Sequence, residues 1–374
     1  MRPRCISLLC FALVFVNEGC GGGGGTPSPP PEEQPPSLGS TVDALANSAM
    51  QQQGLPGMTI ALGKNGTMLY VKAYGISNMT THLTTQTNTI FEIGSITKQF
   101  TAALIMKLQE QGKLQVDDPI DAYLPEYNFP SAITLRRLLT HTSGLADYTT
   151  FPAYPTWATN GVSEATLLNA VSQTPLLFQP GTQWSYSNSN YFALGAVIEK
   201  ITGQSYEAYL AQYIIQPLGL TSTYYSLPPS SQSAIGYTAG AIGLVPALVV
   251  DRSAPFAAGA LSSDVYDLVA WDGALISGKV VSPASFQEMT TPIPQTVGNG
   301  SGSYGFGLEL GAFNGRPTIS HDGAINGFNA DTEMFLDSGF AVEVLVNRDG
   351  ANPVSIVTQI ITTVCNSATL SSNC

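Results

Sequence analysis

The sequence predicts an α+β protein in which an antiparallel β-sheet, formed from both chain ends and flanked by helices, carries an inserted, mainly helical domain. Three observations carry this. Strand patterns occupy the first and last parts of the chain, and helical spacings fill the middle. The strongest short hairpin signal, Asn65-Gly66, joins the runs GMTIALG and TMLYVKAYG. No internal repeat is visible.

After the hairpin comes FEIGSITKQFTAALIMKLQEQG (residues 91–112). Ile96, Phe100, Ala103, Leu104 and Met106 to Leu108 recur at helical spacing, so an amphipathic helix is expected from Ser95, with Gly112 placed to end it. Residues 115 to 250 hold further helical pieces divided by Pro and Gly: TLRRLLTH, NYFALGAVIEKITG and SYEAYLAQYII. Arg136 and Arg137 are expected on a solvated helix face. Strand patterns return in YGFGLEL, DTEMFLD and FAVEVLVN, the last two around the turn Asp337-Ser338-Gly339, and PVSIVTQIITTV closes the chain as an amphipathic helix.

The N-terminus reads as an export signal over residues 1–20. Arg2 and Arg4 precede the apolar run ISLLCFALVFV, which as a helix rises only about 16 Å, too short for a bilayer. Residues 21–40 form a Gly/Pro-rich linker. Cys20, followed by glycines, resembles the lipidated cysteine of bacterial lipoproteins, although Asn17 and Glu18 depart from that pattern. A membrane tether through Cys20 and a freely exported chain are therefore both open, and the cell envelope or the exterior is the expected location. Residues 41–374 are assigned to one catalytic domain, with its helical insertion at about 115–250, and the expected state is a monomer.

Of five cysteines, Cys5 and Cys10 lie inside the signal and Cys20 at its edge, while Cys365 and Cys374 could close a terminal loop or stay as thiols. The net charge of −12 argues against nucleic acid as a partner. Three histidines, His82, His141 and His321, lie far apart, and no Cys/His group has zinc spacing. No metal and no cofactor is expected.

Chemistry concentrates at three short patterns. Lys98 is the only one of seven lysines with a serine three residues before it. In a helix those positions are neighbours, and a serine at a helix N-terminus sits beside unpaired N–H groups able to hold an oxyanion. A capping serine with a solvated lysine would give the same pattern. Tyr186-Ser187-Asn188 is the only Tyr-x-Asn and precedes a helix, where an Asn cap is the bland alternative. His321-Asp322-Gly323 is the only His-x-Gly and could be a polar turn. Their order and spacing along the chain are what make them informative together. A strict G-x-S-x-G is absent, which disfavours a nucleophile-elbow hydrolase.

With LLTHTSGLADY (138–148) and PLGLTSTYY (217–225), these motifs resemble the serine β-lactamase and penicillin-binding protein superfamily from about residue 41 to 360. The branch is the one with Tyr-x-Asn, which includes class C β-lactamases, D-alanyl-D-alanine carboxypeptidases and related esterases. The soluble carboxypeptidases, with His-Thr-Gly as third motif, look nearest. The resemblance implies the β-lactamase/transpeptidase-like fold, with Ser95 as nucleophile, Lys98 helping to deprotonate it and Tyr186 relaying the proton to the leaving amine. It implies that Asn188 holds the lysine and the substrate amide, that His321 faces the substrate, and that the N–H groups of Ser95 and Ala324, beside Gly323, form the oxyanion hole. His141, in Thr140-His141-Thr142-Ser143-Gly144, is read as structural.

Two expectations follow. Making Tyr186 a base at pH 7 means lowering its pKa about 3 units, ~4 kcal/mol, which one ammonium about 4 Å away could nearly supply. His321 stands where class C β-lactamases have the lysine of Lys-Thr-Gly; Lys64-Asn65-Gly66 is no substitute, being the hairpin turn. Near its usual pKa a histidine would make activity respond to pH between about 6 and 8, and it favours a peptidase or esterase over a β-lactamase. The expected function is a D-alanyl-D-alanine carboxypeptidase-like serine hydrolase acting on D-alanyl peptides. A β-lactamase or carboxylesterase is the alternative within that chemistry, and a non-catalytic penicillin-recognising module is the alternative outside it.

Overall fold

The computed structural model describes residues 37–293 and 303–374. The export signal, Cys20 and nearly all of the linker lie outside the described residues. The predicted linker is too long at its end, because helix α1 already runs over Leu38–Gln53, with the Ser37 hydroxyl accepting the Ser40 N–H.

The sheet is built from strands β1 (Gly57–Lys64), β2 (Thr67–Asn78), β3 (Leu83–Thr84), β4 (Ser303–Tyr304), β5 (Glu309–Phe313), β6 (Arg316–Ile325), β7 (Phe328–Phe335) and β8 (Phe340–Val346). Their order is β3-β2-β1-β8-β7-β6-β5-β4, antiparallel throughout. First and last strands meet at its centre, Met58 opposite Val346 and Lys64 opposite Phe340. The β1–β2 turn has φ of 52° at Asn65 and 77° at Gly66, the left-handed pair that two-residue hairpins use. YGFGLEL splits into β4 and β5, because the intervening backbone leaves the ladder and crosses against Lys98.

β8 is apolar along most of its length because it is buried on both faces. Phe340, Val342, Val344 and Val346 pack with α1 and helix α5 (Pro353–Cys365). Ala341 and Leu345 turn to the opposite face, which carries helices α2 (Thr97–Glu110), α3 (Asn188–Thr202) and α4 (Val265–Ile276). α5 offers Ile356, Val357, Ile360, Ile361 and Val364 on one stripe. Cys365 and Cys374 are joined by a disulfide that closes the C-terminus over this layer.

Two sequence readings change. The helix expected from Ser95 starts as a 3₁₀ turn over Gly94–Ile96, and α2 follows from Thr97. α2 is buried nearly all round, Thr97 through Met106 included, so its amphipathic pattern understates its central position. Arg136 does not ride a solvated face: it is pinned between Asp117 and Glu288 at 2.6 and 2.8 Å.

Candidate active site

Ser95 sits on the 3₁₀ turn at the floor of a cavity of about 400 Å³. One turn on, Lys98 is fully buried. Its ammonium donates to Ser95 Oγ at 2.9 Å, Asn188 Oδ1 at 2.9 Å and the Ala258 carbonyl at 2.7 Å. The Tyr186 hydroxyl donates to Ser95 Oγ at 2.7 Å, and Lys98 Nζ lies 4.8 Å from the centre of the tyrosine ring. Two side chains, one from the next turn and one from 91 residues along the chain, thus converge on one oxygen.

Asn188 opens α3 and is itself held, its Nδ2 donating to Asp147 at 3.0 Å. The segment that carries Tyr186 and Asn188 is braced by the 138–148 loop. Ser189 Oγ donates to the Ala146 carbonyl, Tyr191 OH to the Leu139 carbonyl, and Ser143 Oγ to Asn190 Oδ1. His141 is fully buried there, its Nδ1 accepting the Ser187 N–H at 3.2 Å and lying 2.9 Å from Asn190 Nδ2. Burial holds it neutral, with a pKa well below the usual imidazole value, and its ring stacks 4.4 Å from that of Tyr186. Its contacts are those of a positioning residue.

β6 closes the opposite wall. A Cβ on Gly323 would stand 2.0 Å from the Ile93 carbonyl oxygen, and one on Gly94 2.7 Å from Ala324 N. Glycine at both positions is what lets the strand and the Ser95 turn touch, bringing Ser95 and Ala324 to the same cavity. Gly323→Ala is expected to lower kcat/KM about 10²-fold, the size of effect that follows a 1 Å misplacement. A variant with wild-type turnover would show the close approach to be dispensable.

His321 does not face the cavity. It is buried to 1% exposure beside β4, with Nε2 2.9 Å from Tyr304 OH and Nδ1 2.6 Å from the Asp322 carbonyl. A carbonyl only accepts, so Nδ1 carries the proton and Nε2 receives the tyrosine's. Burial, aided by Lys98, pulls its pKa to about 4. The expected response between pH 6 and 8 therefore cannot come from His321.

The second electrostatic expectation also reverses. Burial raises the Tyr186 phenol well above its usual value, the Ser95 hydrogen bond offsetting only part of this. The same burial pulls Lys98 down to about 7, against the opposing pull of Asp147 and Asp322. One dry pocket penalises both charged forms, so the group poised near neutrality is the amine and the phenol keeps its proton. As an ammonium, Lys98 spends three N–H bonds on its three acceptors. As an amine it keeps Asn188 and Ala258 and turns its lone pair to the Ser95 hydroxyl.

Comparison with protein-family models finds the family described as Beta-lactamase, matched over residues 42–359. The chain belongs to that family. Among its curated members, putative penicillin-binding protein PbpX of Bacillus subtilis is 30% identical over 292 residues, covering 78% of this chain and 70% of PbpX. Penicillin-binding protein 4* of the same organism is 29% identical, with 78% and 68% covered. Among solved structures, a D-stereospecific amidohydrolase from Streptomyces sp. superposes with a TM-score of 0.77 at 28% identity, over 89% of this chain and all of that one. The octameric penicillin-binding protein homologue from Pyrococcus abyssi gives 0.76 at 29%, over 86% and 75%. The family is one of serine hydrolases, and its fold is the α+β arrangement described above.

Several groups at the site carried no sequence signal. The Ala258 carbonyl is a backbone acceptor that any residue could supply. Asp147, inside the LLTHTSGLADY motif, and Tyr304, at the start of YGFGLEL, touch Asn188 and His321, and the sequence singles out neither.

Proposed function

We propose that the protein is a serine acyl-hydrolase that acts through an acyl-enzyme on amides or esters with an uncharged leaving group. The observation that carries this is the single oxygen, Ser95 Oγ, held between Lys98 and Tyr186 at a cavity floor. Ser95 Oγ attacks the carbonyl carbon as its proton passes to the Lys98 amine. The oxyanion is received by the N–H groups of Ser95 and Ala324. Collapse breaks the bond to the leaving group, which takes the Tyr186 proton while Lys98 returns one to the phenol. Water then repeats the sequence on the acyl-enzyme. Asn188 orients the amine and the substrate, and Gly323 lets the strand approach.

The D-alanyl-D-alanine carboxypeptidase reading asks for a cation to meet the substrate's terminal carboxylate. Among the described residues lining the cavity there is no lysine or arginine, and the one charged side chain is Asp349. His321, neutral and turned away, does not replace it. An amide or ester without that carboxylate suits the wall better, in keeping with the likeness to the Streptomyces amidohydrolase. Residues 1–20 would direct this activity to the cell envelope, where the Cys365–Cys374 disulfide is at home.

Incubating the protein with a fluorescent penicillin, nitrocefin, a D-alanyl-D-alanine peptide, a D-amino acid amide and a p-nitrophenyl ester tests this. The amide or ester is expected to turn over, and intact mass is expected to show one acyl adduct that Ser95→Ala abolishes. Faster release of D-alanine from the peptide than of any neutral product would restore the carboxypeptidase. Neither adduct nor hydrolysis would make the protein a recognition module.

A further inference from the structure

Beside the reaction cavity lies a second, of about 370 Å³, walled largely by apolar side chains such as Leu227, Pro228, Pro246 and Leu248. Asn326 and Phe328, at the β6–β7 turn, line both cavities, which therefore adjoin. The outer lip is apolar and open to water, with Leu248 69% and Val249 84% exposed. A single charged residue belongs to this wall: Glu92, in the short strand Phe91–Glu92. Its carboxyl is partly buried and makes no hydrogen bond or ion pair with another described residue. Asp349, across the first cavity, differs in accepting the Gly327 N–H.

A desolvated carboxyl without a partner is costly and calls for a donor or a cation; burial alone already pushes this one up to about 7. Glu92 stands three residues before Ser95, so their Cα atoms are at most about 11 Å apart, within the span of a short alkyl chain. We propose that the side cavity binds the substrate's acyl part, and that this part is an apolar chain ending in an ammonium that pairs with Glu92. The assignment rests on the acyl-hydrolase reading for the identity of the ligand as substrate, but the binding can be measured without turnover.

Ser95→Ala enzyme is titrated calorimetrically with 6-aminohexanamide and with hexanamide. The aminoamide is expected to bind about 10-fold more tightly, and adding Glu92→Gln to remove that difference. Adding Glu92→Lys instead should reverse the preference, so that 6-amino-6-oxohexanoic acid becomes the better ligand. This gain cannot come from a misfolded variant. In parallel, wild type is expected to hydrolyse p-nitrophenyl 6-aminohexanoate with a kcat/KM about 10-fold above that of the hexanoate. Equal affinity of the Ser95→Ala enzyme for the two amides, or a preference that survives Glu92→Gln, overturns the site. Glu92-dependent binding without hydrolysis of either ester leaves the site standing and removes the acyl-hydrolase reading.

Discussion

Lys98→Ala is expected to lower kcat/KM for a neutral ester about 10³-fold, the share that a positioned general base contributes. Wild-type kcat/KM is expected to rise with pH about a midpoint near 7, where burial has brought the Lys98 amine. The sign follows from which form works. Below the midpoint the ammonium donates to Ser95 and cannot accept its proton; above it the lone pair is free. Lys98→Arg, charged at every pH, should stay inactive up to pH 9, whereas His321→Gln should keep the midpoint where it is. A profile that is flat from pH 5.5 to 8.5 would remove Lys98 as the titrating base, and one that flattens only in His321→Gln would return the control of rate to the histidine.

A second large effect is expected far from the site, on stability. Asp272 of α4 and Glu343 of β8 face each other in the core, 2% and 0% exposed, and neither Asp272 oxygen nor Glu343 Oε2 has a hydrogen-bond partner. Thr332 Oγ1 donates to Glu343 at 2.8 Å, and among the described residues no cation stands against the pair. Burial raises both carboxyls, Asp272 well above its usual value with Glu343 as a further cause. Two buried carboxylates side by side repel, so burial and the neighbouring charge both favour the protonated form. An acid whose folded pKa is raised gives stability that is present below the unfolded value, about 4, and is lost as pH rises through the folded one. Thermal unfolding of wild type should therefore show a melting temperature that falls between pH 5 and 8. Asp272→Asn, whose amide donates at any pH, should flatten the fall. Glu343→Ala should cost about 2 kcal/mol at pH 6 by opening a cavity and leaving Thr332 Oγ1 without its acceptor. Melting curves for Asp272→Asn that run parallel to wild type over the whole range would refute the titration of this pair.

How far the sequence could be read depended on whether the deciding interaction was local. The β1–β2 hairpin was legible because Asn65-Gly66 fixes its own turn, and β8 because FAVEVLV has no polar face to spare. Ser95 and Lys98 were legible as neighbours because three residues of helix place them side by side. The π-helical bulge Ala211–Ile215, with hydrogen bonds five residues apart, lies within SYEAYLAQYII and is invisible in its pattern. The reversal at Tyr186 and Lys98 was illegible for a deeper reason. An ammonium beside a phenol predicts one direction in water, and the opposite direction once α3 and the sheet have dried them both. His321 likewise shows its motif in the sequence, but Tyr304 and the Asp322 carbonyl decide where its ring goes.

The meeting of β1 with β8 has a consequence for how the molecule comes into being. Ser95 is synthesised early, yet the strand it leans on begins at Arg316, and the sheet cannot be zipped until Val346 has left its biosynthetic channel. Such distant pairing slows folding, and for most of its synthesis the nascent chain lacks the strand that walls the Ser95 cavity.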